Sequence, residues 1–489
     1  MTEILWNAAD AAKATGGTLV GDNQQWKATG IAMDSRLVKA GDVFIALVPE
    51  TEGDKYRTSG LNGHDYINQA FANGAVAAII SHKPDVVSDD KSLLVVDDTM
   101  QALIDLGQAA RYRASLNQTI AITGSVGKTG VRDMVEHAFR ADQSNVHASI
   151  KSYNNSIGVP FSLATMKASS DVGVFEVGMN YAHEITPLSK QIAPSIAIIT
   201  WIAGVHIENF DDGIDGVVAA KSEIFDGMDS DGIAILPRDN DHFATLKANA
   251  KTAGLSKIHT FGEHDDADAR LTDCLLAANG TRITANIMGQ SVSYTLQIAG
   301  KHIALNSLSA LLAVKLSNGD VQAAAKALEK IEPITGRGNR ERIESGEADN
   351  PIMLIDESYN ASPVAMNASF RVMAMVDPGR GGRRIAVLGD MLELGNRAKS
   401  EHENLAIPLQ AAGVDLLYCS GKNMKALYDK VPPANQGAHR DTSDELAQIV
   451  PDALCPGDVV LVKGSHGAKM NAVVEAMRAM PERKNTNAL

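Results

Sequence analysis

The stretch from Gln118 to Arg140 constrains this chain more than any other. Thr119–Thr123 is a short apolar run, Gly124-Ser125-Val126-Gly127-Lys128-Thr129 is a glycine-containing loop, and Val131–Arg140 has the spacing of an amphipathic helix. A strand that runs into a glycine loop and then a helix is the local unit of a parallel α/β sheet. The glycines let backbone N–H groups wrap a phosphate, and the helix N-terminus adds partial positive charge. Lys128 can reach the outer phosphates, and the Thr129 hydroxyl can ligate Mg²⁺. The usual spacing is G-x-x-x-x-G-K-[ST]. Here Ile122 stands where the first glycine is expected, and Gly124 gives G-x-x-G-K-T instead. A chance glycine-rich turn is the alternative. The strand–loop–helix context favours a nucleoside triphosphate site but does not identify the reaction.

The same alternation extends in both directions. Strand candidates Val172–Val177, Ile196–Ile202 and Gly232–Leu236 follow the loop, with helical spacers between several of them. Residues 257–298 read as antiparallel strands, including Val292–Ile298, and Ala304–Leu316 and Gln322–Glu329 read as helices. After Gly336-Arg337-Gly338 the α/β pattern resumes, with strands Ile352–Asp356, Arg384–Leu388, Asp415–Cys419 and Val459–Lys463. Helices are expected at Glu401–Ala411, Asp444–Val450 and Lys469–Met480, and Pro378–Arg384 reads as an exposed loop. Before the glycine loop, short strands such as Asp42–Leu47 and Leu93–Val96 flank a helix at Tyr66–Asn73, and Ala109–Leu116 reads as a helix end or linker. A length of 489 residues predicts about three domains.

Composition excludes several classes. Lys and Arg total 45 against 59 Asp and Glu, a net charge of −14 that opposes non-specific binding to nucleic acid or anionic membrane. Cys274, Cys419 and Cys455 form no C-x-x-C pair, which suits reduced thiols in a cytosol-like compartment. Met1-Thr2-Glu3-Ile4-Leu5-Trp6 lacks a basic segment leading into an apolar one, so no signal peptide is expected. No apolar run reaches the ~18–20 residues that span a bilayer. A soluble, cytoplasmic protein is the expectation.

Three further residues are metal-ligand candidates. Glu176 ends a strand, and ligand sites in open α/β sheets lie beyond strand carboxyl ends. His206 follows the next strand candidate by a few residues, so both are positioned to face the phosphate loop. Each alone has a structural or merely solvated alternative. Lys221 begins as an unpromising ligand, since an ammonium is repelled by Mg²⁺. A neutral lysine that adds carbon dioxide becomes a carbamate and resembles a carboxylate. An exposed surface lysine is the alternative.

The order phosphate loop, Glu176, His206, Lys221 resembles that of the Mur ligases, ATP-dependent amide ligases of peptidoglycan precursor synthesis. The resemblance covers nearly the whole chain. Met33-Asp34-Ser35-Arg36 with Gly41-Asp42-Val43-Phe44 is similar to the family's uridine-nucleotide motif. Asn154-Asn155-Ser156-Ile157-Gly158-Val159-Pro160, Gly300-Lys301-His302 with Asn306, and Gly336-Arg337-Gly338 match later segments. Asp356-Glu357-Ser358-Tyr359-Asn360-Ala361-Ser362-Pro363, Leu388-Gly389-Asp390-Met391-Leu392-Glu393-Leu394-Gly395 and Val462-Lys463-Gly464-Ser465 point, within the family, to the member whose amine substrate is D-alanyl-D-alanine. The Asn-Pro-Arg signature of diaminopimelate-adding relatives is missing. Asn62, Gly130, Ser152, His183 and Trp201 depart from the family pattern, and Trp201 bears most on the metal side of the site.

The resemblance implies an α/β fold of three domains. A small mixed α/β domain over 1–112 would bind the UDP-sugar peptide. A central P-loop ATPase-type parallel sheet over 113–334 would bind ATP, and a C-terminal Rossmann-like α/β domain over 335–489 would carry the ligase half. It implies ATP-dependent addition of D-alanyl-D-alanine to UDP-N-acetylmuramoyl-tripeptide through an acyl phosphate. Gly124, Ser125, Val126, Gly127, Lys128 and Thr129 would cradle the phosphates. Thr129 and Glu176 would hold one Mg²⁺, and His206 and carbamylated Lys221 a second. Lys128, His206 and Lys221 would then be the catalytic set. Asn306 would contact adenine, Arg337 the phosphates and Asp356 the ribose. Ser35 and Arg36 would bind uridine diphosphate, and Lys463 and Ser465 the dipeptide. Each has a plainer alternative: a helix cross-link for Asn306, an ion-pair partner for Arg337, a strand end for Asp356, a turn cap for Ser35 and Arg36, and loop shaping for Lys463 and Ser465. A monomer without nucleic-acid or membrane partners is expected. A related ligase adding another amino acid, another P-loop enzyme such as a small-molecule kinase, and an inactive nucleotide-binding paralogue are the competing readings.

Overall fold

The computed structural model describes residues 3–49, 60–141, 144–150, 153–277, 280–333 and 335–480. Ser152, the boundary residue Ile334, the start of the N-terminal hexapeptide and residues 481–489 lie outside the described residues. The chain gathers into two compact units. The first comprises Met1–Trp201, Val218–Asp268 and Ser309–Ala324, and the second Ile202–Val217, Ala269–Leu308 and Ala325–Leu489.

In the first unit, parallel strands run in the order Lys257–Gly262, Ile233–Pro237, Ile196–Ile199, Gln118–Thr123, Val172–Glu176 and Val146–Ala148. Thr119–Thr123 is buried throughout, as expected of a strand covered on both faces. The phosphate-loop strand therefore sits between the strands that end at Glu176 and Ile199. Their carboxyl ends lie beside its own, and the chain reverses its direction of winding there. Lys257–Gly262 is parallel to Ile233–Pro237, not antiparallel as its sequence suggested. Its burial rises from exposed at Lys257 to full at Thr260–Gly262. Helix Phe243–Thr252 joins the two strands, and such a crossover suits parallel pairing.

The helix after the loop begins at Lys128 rather than Val131 and runs to Arg140. Val131, Met134, Val135 and Ala138 make the buried stripe. Lys128 and Thr129 are polar, so apolar periodicity alone hides the first turn.

A five-stranded sheet occupies the beginning of the chain, in the order Thr18–Val20, Leu93–Val95, Ala77–Ile80, Asp42–Ile45 and Gly30–Ala32, parallel except for the first pair. Its core is continuous with the central part of the same unit. Leu5, Trp6, Val43, Ile79 and Leu103 pack in one cluster with Phe161 and Ala164. Trp6 Nε1 donates to Ala164 O at 2.9 Å, and the Arg113 guanidinium donates to Leu5 O and Met166 O. Arg113 ends helix Thr99–Arg113, which Asp98 caps at its start, so of the two readings of Ala109–Leu116 the helix end is the one observed.

In the second unit, Ala269–Ala277, Gly280–Ile287 and Gln290–Leu296 are antiparallel. Met288 and Gly289, at φ 48° and 87°, form the two-residue turn between the last two. The C-terminal sheet runs Asn339–Ile343, Ile352–Glu357, Val459–Lys463, Arg384–Gly389, Leu416–Ser420, Gln436–Arg440, parallel except for the first pair. Alternate residues feed two cores. Ala386, Leu388, Leu417 and Leu461 enter one, and Ile385, Val387, Tyr418, Val460 and Val462 the other. The helix expected over Glu401–Ala411 is two helices, Ala398–Glu403 and Ala406–Ala411. In an unbroken helix Pro408 would clash with the carbonyl of Asn404, so the chain breaks at 404–405 and restarts with proline in a first turn. No disulfide joins Cys274, Cys419 and Cys455. No described helix is long and apolar enough to cross a membrane.

Candidate active site

The phosphate loop is held from behind. Thr200 Oγ1 donates to Val126 O at 2.6 Å, and Ser125 N donates to Trp201 O at 2.7 Å. Gly124 has φ 149°, and a Cβ there would sit 2.0 Å from Thr200 Oγ1. Gly127, at φ 88°, turns the chain into the helix. Lys128 Nζ donates to Gly124 O at 2.8 Å, which folds the ammonium back over the loop. Trp201 supplies its main-chain carbonyl, so the loop contact survives its departure from the family's asparagine. Gly130 has open space where a Cβ would stand, so the missing hydroxyl leaves no packing gap.

Glu176 and Thr129 come together as their order in the chain suggested. Thr129 Oγ1 donates to Glu176 Oε2 at 2.9 Å, and both residues are buried. Asn154 Nδ2 donates to the other oxygen, Oε1, at 2.6 Å. Glu176 N donates to Ser149 Oγ at 3.1 Å. A hydroxyl, a carboxylate and an adjacent phosphate subsite form the oxygen-rich donor set that Mg²⁺ prefers. No cluster of three His, Cys, Asp or Glu side chains suited to a metal occurs among the described residues, so phosphate oxygens and water would have to complete such a shell. Asn154 and Thr200 were not singled out from sequence. Asn154 had a signal, since it lies in the motif after the phosphate loop. Thr200 had only its place at a strand end.

Lys221 is not a surface lysine. It lies in the last turn of helix Ile214–Ser222 and is 1% exposed. Burial, reinforced by the positive charge of Lys128, pushes its pKa well below that of an ordinary lysine, against the opposing pull of Glu176, Glu184 and Glu223. The neutral amine is thereby favoured. Glu223 is otherwise engaged: its carboxylate accepts from the main-chain N–H groups of His183, Ile185 and Thr186. His183, at φ 67°, is held by the first of these.

His206 belongs to the second unit. It adopts φ 61°, and its Nδ1 lies 2.5 Å from Glu393 Oε2. Arg337 stacks on Tyr359, with the guanidinium carbon 4.1 Å from the ring centroid. Asp356 is buried and organises the loop below it. One carboxylate oxygen accepts from Ser358 N and Oγ, and the other from Gly336 N and Arg478. Asn306 is buried in helix Lys301–Leu316.

Lys463 and Ser465 brace loops. Lys463, 2% exposed, donates to Glu357 Oε2 at 3.1 Å and to Asn360 O at 3.0 Å. Ser465 Oγ accepts from Leu392 N at 2.9 Å. His402 fixes the same region, accepting from Met391 N through Nε2 and donating from Nδ1 to Ala398 O. Burial lowers its pKa.

Ser35 and Arg36 line a cavity of about 900 Å³ in the first unit. Ser35 Oγ donates to Gln69 Oε1, and Arg36 makes a forked contact with Asp34. Tyr153, Ile157, Phe161 and Lys167 also line it; Ile157 lies in the motif after the phosphate loop, and the other three were not singled out. Asn62 lies next to two residues of the wall and caps the turn that contains His64, accepting from His64 N at 3.1 Å. An aspartate there would accept the same bond.

The sheet, the phosphate loop and the buried lysine define an α/β nucleotide-binding ligase fold, and the chain belongs to the Mur ligase family. The Mur ligase middle domain matches residues 122–314, and the Mur ligase, glutamate ligase domain matches residues 341–466. The chain is 31% identical to UDP-N-acetylmuramoyl-tripeptide–D-alanyl-D-alanine ligase of Escherichia coli (strain K12), over 92% of this chain and 93% of the relative. It is 30% identical to the protein of the same name from Bacillus subtilis (strain 168), over 95% and 96%. Among solved structures, MurF from Acinetobacter baumannii superposes with a TM-score of 0.80 at 27% identity, covering 96% of this chain and 98% of that one. MurF ligase from Thermotoga maritima in complex with ADP shares the fold, with a TM-score of 0.73 at 23% identity over 92% and 97%.

Proposed function

We infer that this chain is the ATP-dependent ligase that joins D-alanyl-D-alanine to UDP-N-acetylmuramoyl-tripeptide in peptidoglycan precursor synthesis. The observation that carries the chemistry is the Thr129–Glu176 pair beside a phosphate loop, with a lysine of lowered pKa buried in the same unit. Full-length likeness to relatives of that name supports the choice of substrates.

A carboxylate is a poor acyl donor, and ATP converts it to an acyl phosphate. The dipeptide amine then attacks, and phosphate leaves as the amide forms. In this reading Gly124–Thr129 binds the phosphates, and Lys128 neutralises charge on the outer ones. Thr129 and Glu176 are proposed to hold one Mg²⁺, and His206 and a carbamylated Lys221 a second. Bound there, the ions would neutralise phosphate charge and polarise the reacting oxygens. Lys221 in its neutral form is the species able to add carbon dioxide. Asn154 orients Glu176, Arg337 reaches the nucleotide from its platform on Tyr359, and Asn306 and Asp356 contact adenine and ribose. Ser35 and Arg36 hold the uridine diphosphate end in the 900 Å³ cavity. Lys463 and Ser465 shape the loops that receive the dipeptide. Functional domains over 1–112, 113–334 and 335–489, a cytoplasmic location and a monomeric state belong to the same proposal.

Phosphate release with ATP, Mg²⁺, UDP-N-acetylmuramoyl-tripeptide and a panel of amines tests it. Turnover is expected with D-alanyl-D-alanine. Turnover with a single amino acid and none with the dipeptide would assign the chain to a different Mur-type reaction.

A further inference from the structure

Part of the cavity wall in the first unit is a turn held in place by one buried imidazole. Leu61, Gly63 and Tyr66 line the cavity together with Leu47. Gly63 seats the turn on the end of strand Asp42–Ile45. Its N–H donates to Leu47 O at 2.7 Å, and a Cβ there would stand 2.8 Å from the Ala46 main chain. His64, 2% exposed, ties the turn to the residue after the neighbouring strand Ala77–Ile80, because Ser81 N donates to its Nε2 at 3.0 Å. A main-chain N–H can only donate, so the proton of the neutral ring sits on Nδ1. That proton faces Asn62 Oδ1 at 3.0 Å, which also accepts from His64 N at 3.1 Å. Among the described residues, the titratable groups that act on the ring are His82, stacked on it at a centroid distance of 4.2 Å, and Asp65, the next residue of the turn. Burial, reinforced by His82 and opposed by Asp65, pushes the His64 pKa down to about 4.

We propose that Asn62 and His64 are positioning residues for the cavity: neutral His64 holds the turn against Ser81, and the uncharged amide of Asn62 keeps the imidazole neutral. An aspartate at 62 could accept both bonds, but its charge would favour the imidazolium. The imidazolium has no lone pair at Nε2, so Ser81 N would lose its acceptor, and the ring would be left with Ser81 Oγ at 3.3 Å. The wall would then loosen in mild acid, where the amide keeps it fixed. Substrate affinity thereby becomes insensitive to pH over that range. The proposal rests on the reading of the cavity as the site of the uridine diphosphate end.

The test uses the full-length protein with UDP as the probe. Its dissociation constant is read by calorimetry at about pH 8 and about pH 5.5, each relative to wild type at the same pH. Histidine ¹³C resonances report the charge of His64, whose signal is assigned by its loss in His64→Gln. Asn62→Asp should bind UDP as wild type does at the higher pH and about three- to tenfold more weakly at the lower one. Its His64 signal should titrate over that interval, and the wild-type signal should not. His64→Gln offers Ser81 N an uncharged acceptor, so the acid loss should disappear in the double variant. Arg36→Glu, exposed in the cavity lining, separates the two levels. If it leaves UDP affinity unchanged, the cavity is not the uridine diphosphate site and that reading fails. If Arg36→Glu weakens binding but Asn62→Asp follows wild type at both pH values, the positioning role alone is overturned. An acid loss that persists in the double variant would also overturn it.

Discussion

The phosphate loop and the C-terminal loop cluster solve the same problem in opposite ways. Both must hold polar groups rigidly at the carboxyl ends of parallel strands. The phosphate loop does so with main chain: glycines at φ 149° and 88°, carbonyls of Gly124 and Val126, and one threonine bracing from the next strand. The C-terminal cluster does so with side chains reaching across sequence: Lys463 to Glu357 and Asn360, Ser465 to Leu392, His402 to Met391. A main-chain cradle keeps its side chains for the ligand. A side-chain lattice spends them on itself, and it leaves the loop surface to the substrate.

Substitutions can break this contrast. The largest effect should come from Lys128→Ala, which removes a phosphate-facing cation together with its bond to Gly124 O. It should lower kcat by about 10²–10³-fold in a phosphate-release assay, with unchanged unfolding. Lys463→Met should do the reverse. It removes the ammonium from the Glu357 carboxylate and from Asn360 O, and urea denaturation should report a loss of about 1–3 kcal/mol. If Lys463→Met alters turnover but not stability, the lysine is a substrate contact first and a brace second. Gly124→Ala should weaken ATP binding by about tenfold, because its Cβ collides with Thr200 Oγ1. Thr200→Ala should recover part of that loss in the double variant, and independent effects would show that the strain lies in φ alone.

The smallest effect is a pH response in the C-terminal cluster. His402 has a lowered pKa in the folded protein, so the unfolded chain binds more protons as pH falls below about 6.5. The stabilisation from neutral His402 is present above that pH and declines as pH falls towards the folded value. The protection of the Met391 amide against exchange, taken relative to the unfolded chain at the same pH, should therefore be lower in mild acid than at neutral pH. A His402→Gln variant should lose the difference.

The contrast also explains what could be read from the sequence. A main-chain cradle is written in consecutive residues, so Gly124–Thr129 and its strand and helix were visible directly. Glu176 was visible because a strand end is a local feature. Lys221 looked like a surface residue, since its burial arises from tertiary packing around a helix end. Asn154, Thr200 and the cavity wall at Tyr153–Lys167 depend on contacts over tens of positions or more. No periodicity encodes these. The parallel pairing of Lys257–Gly262 was missed for a related reason, because strand direction is set by the crossover helix Phe243–Thr252 and not by the strand's own residues. Pro408 carried the signal for the divided helix, but only once its i−4 carbonyl was considered.

The shared core of Trp6, Leu103, Phe161 and Ala164 has a kinetic meaning. It joins the sheet that lines the 900 Å³ cavity to helix Gly158–Ala164, within the compact unit that also carries the phosphate loop. If the cavity holds the uridine end of one substrate, two of the three reactants are registered against a common frame before the third arrives. Their encounter then ceases to be a second-order event, and the entropy of aligning a carboxylate with a phosphoryl group is removed at binding rather than at the barrier. A cavity-creating change at Leu103, which lines neither the cavity nor the phosphate loop, would on this view act as a change in effective molarity.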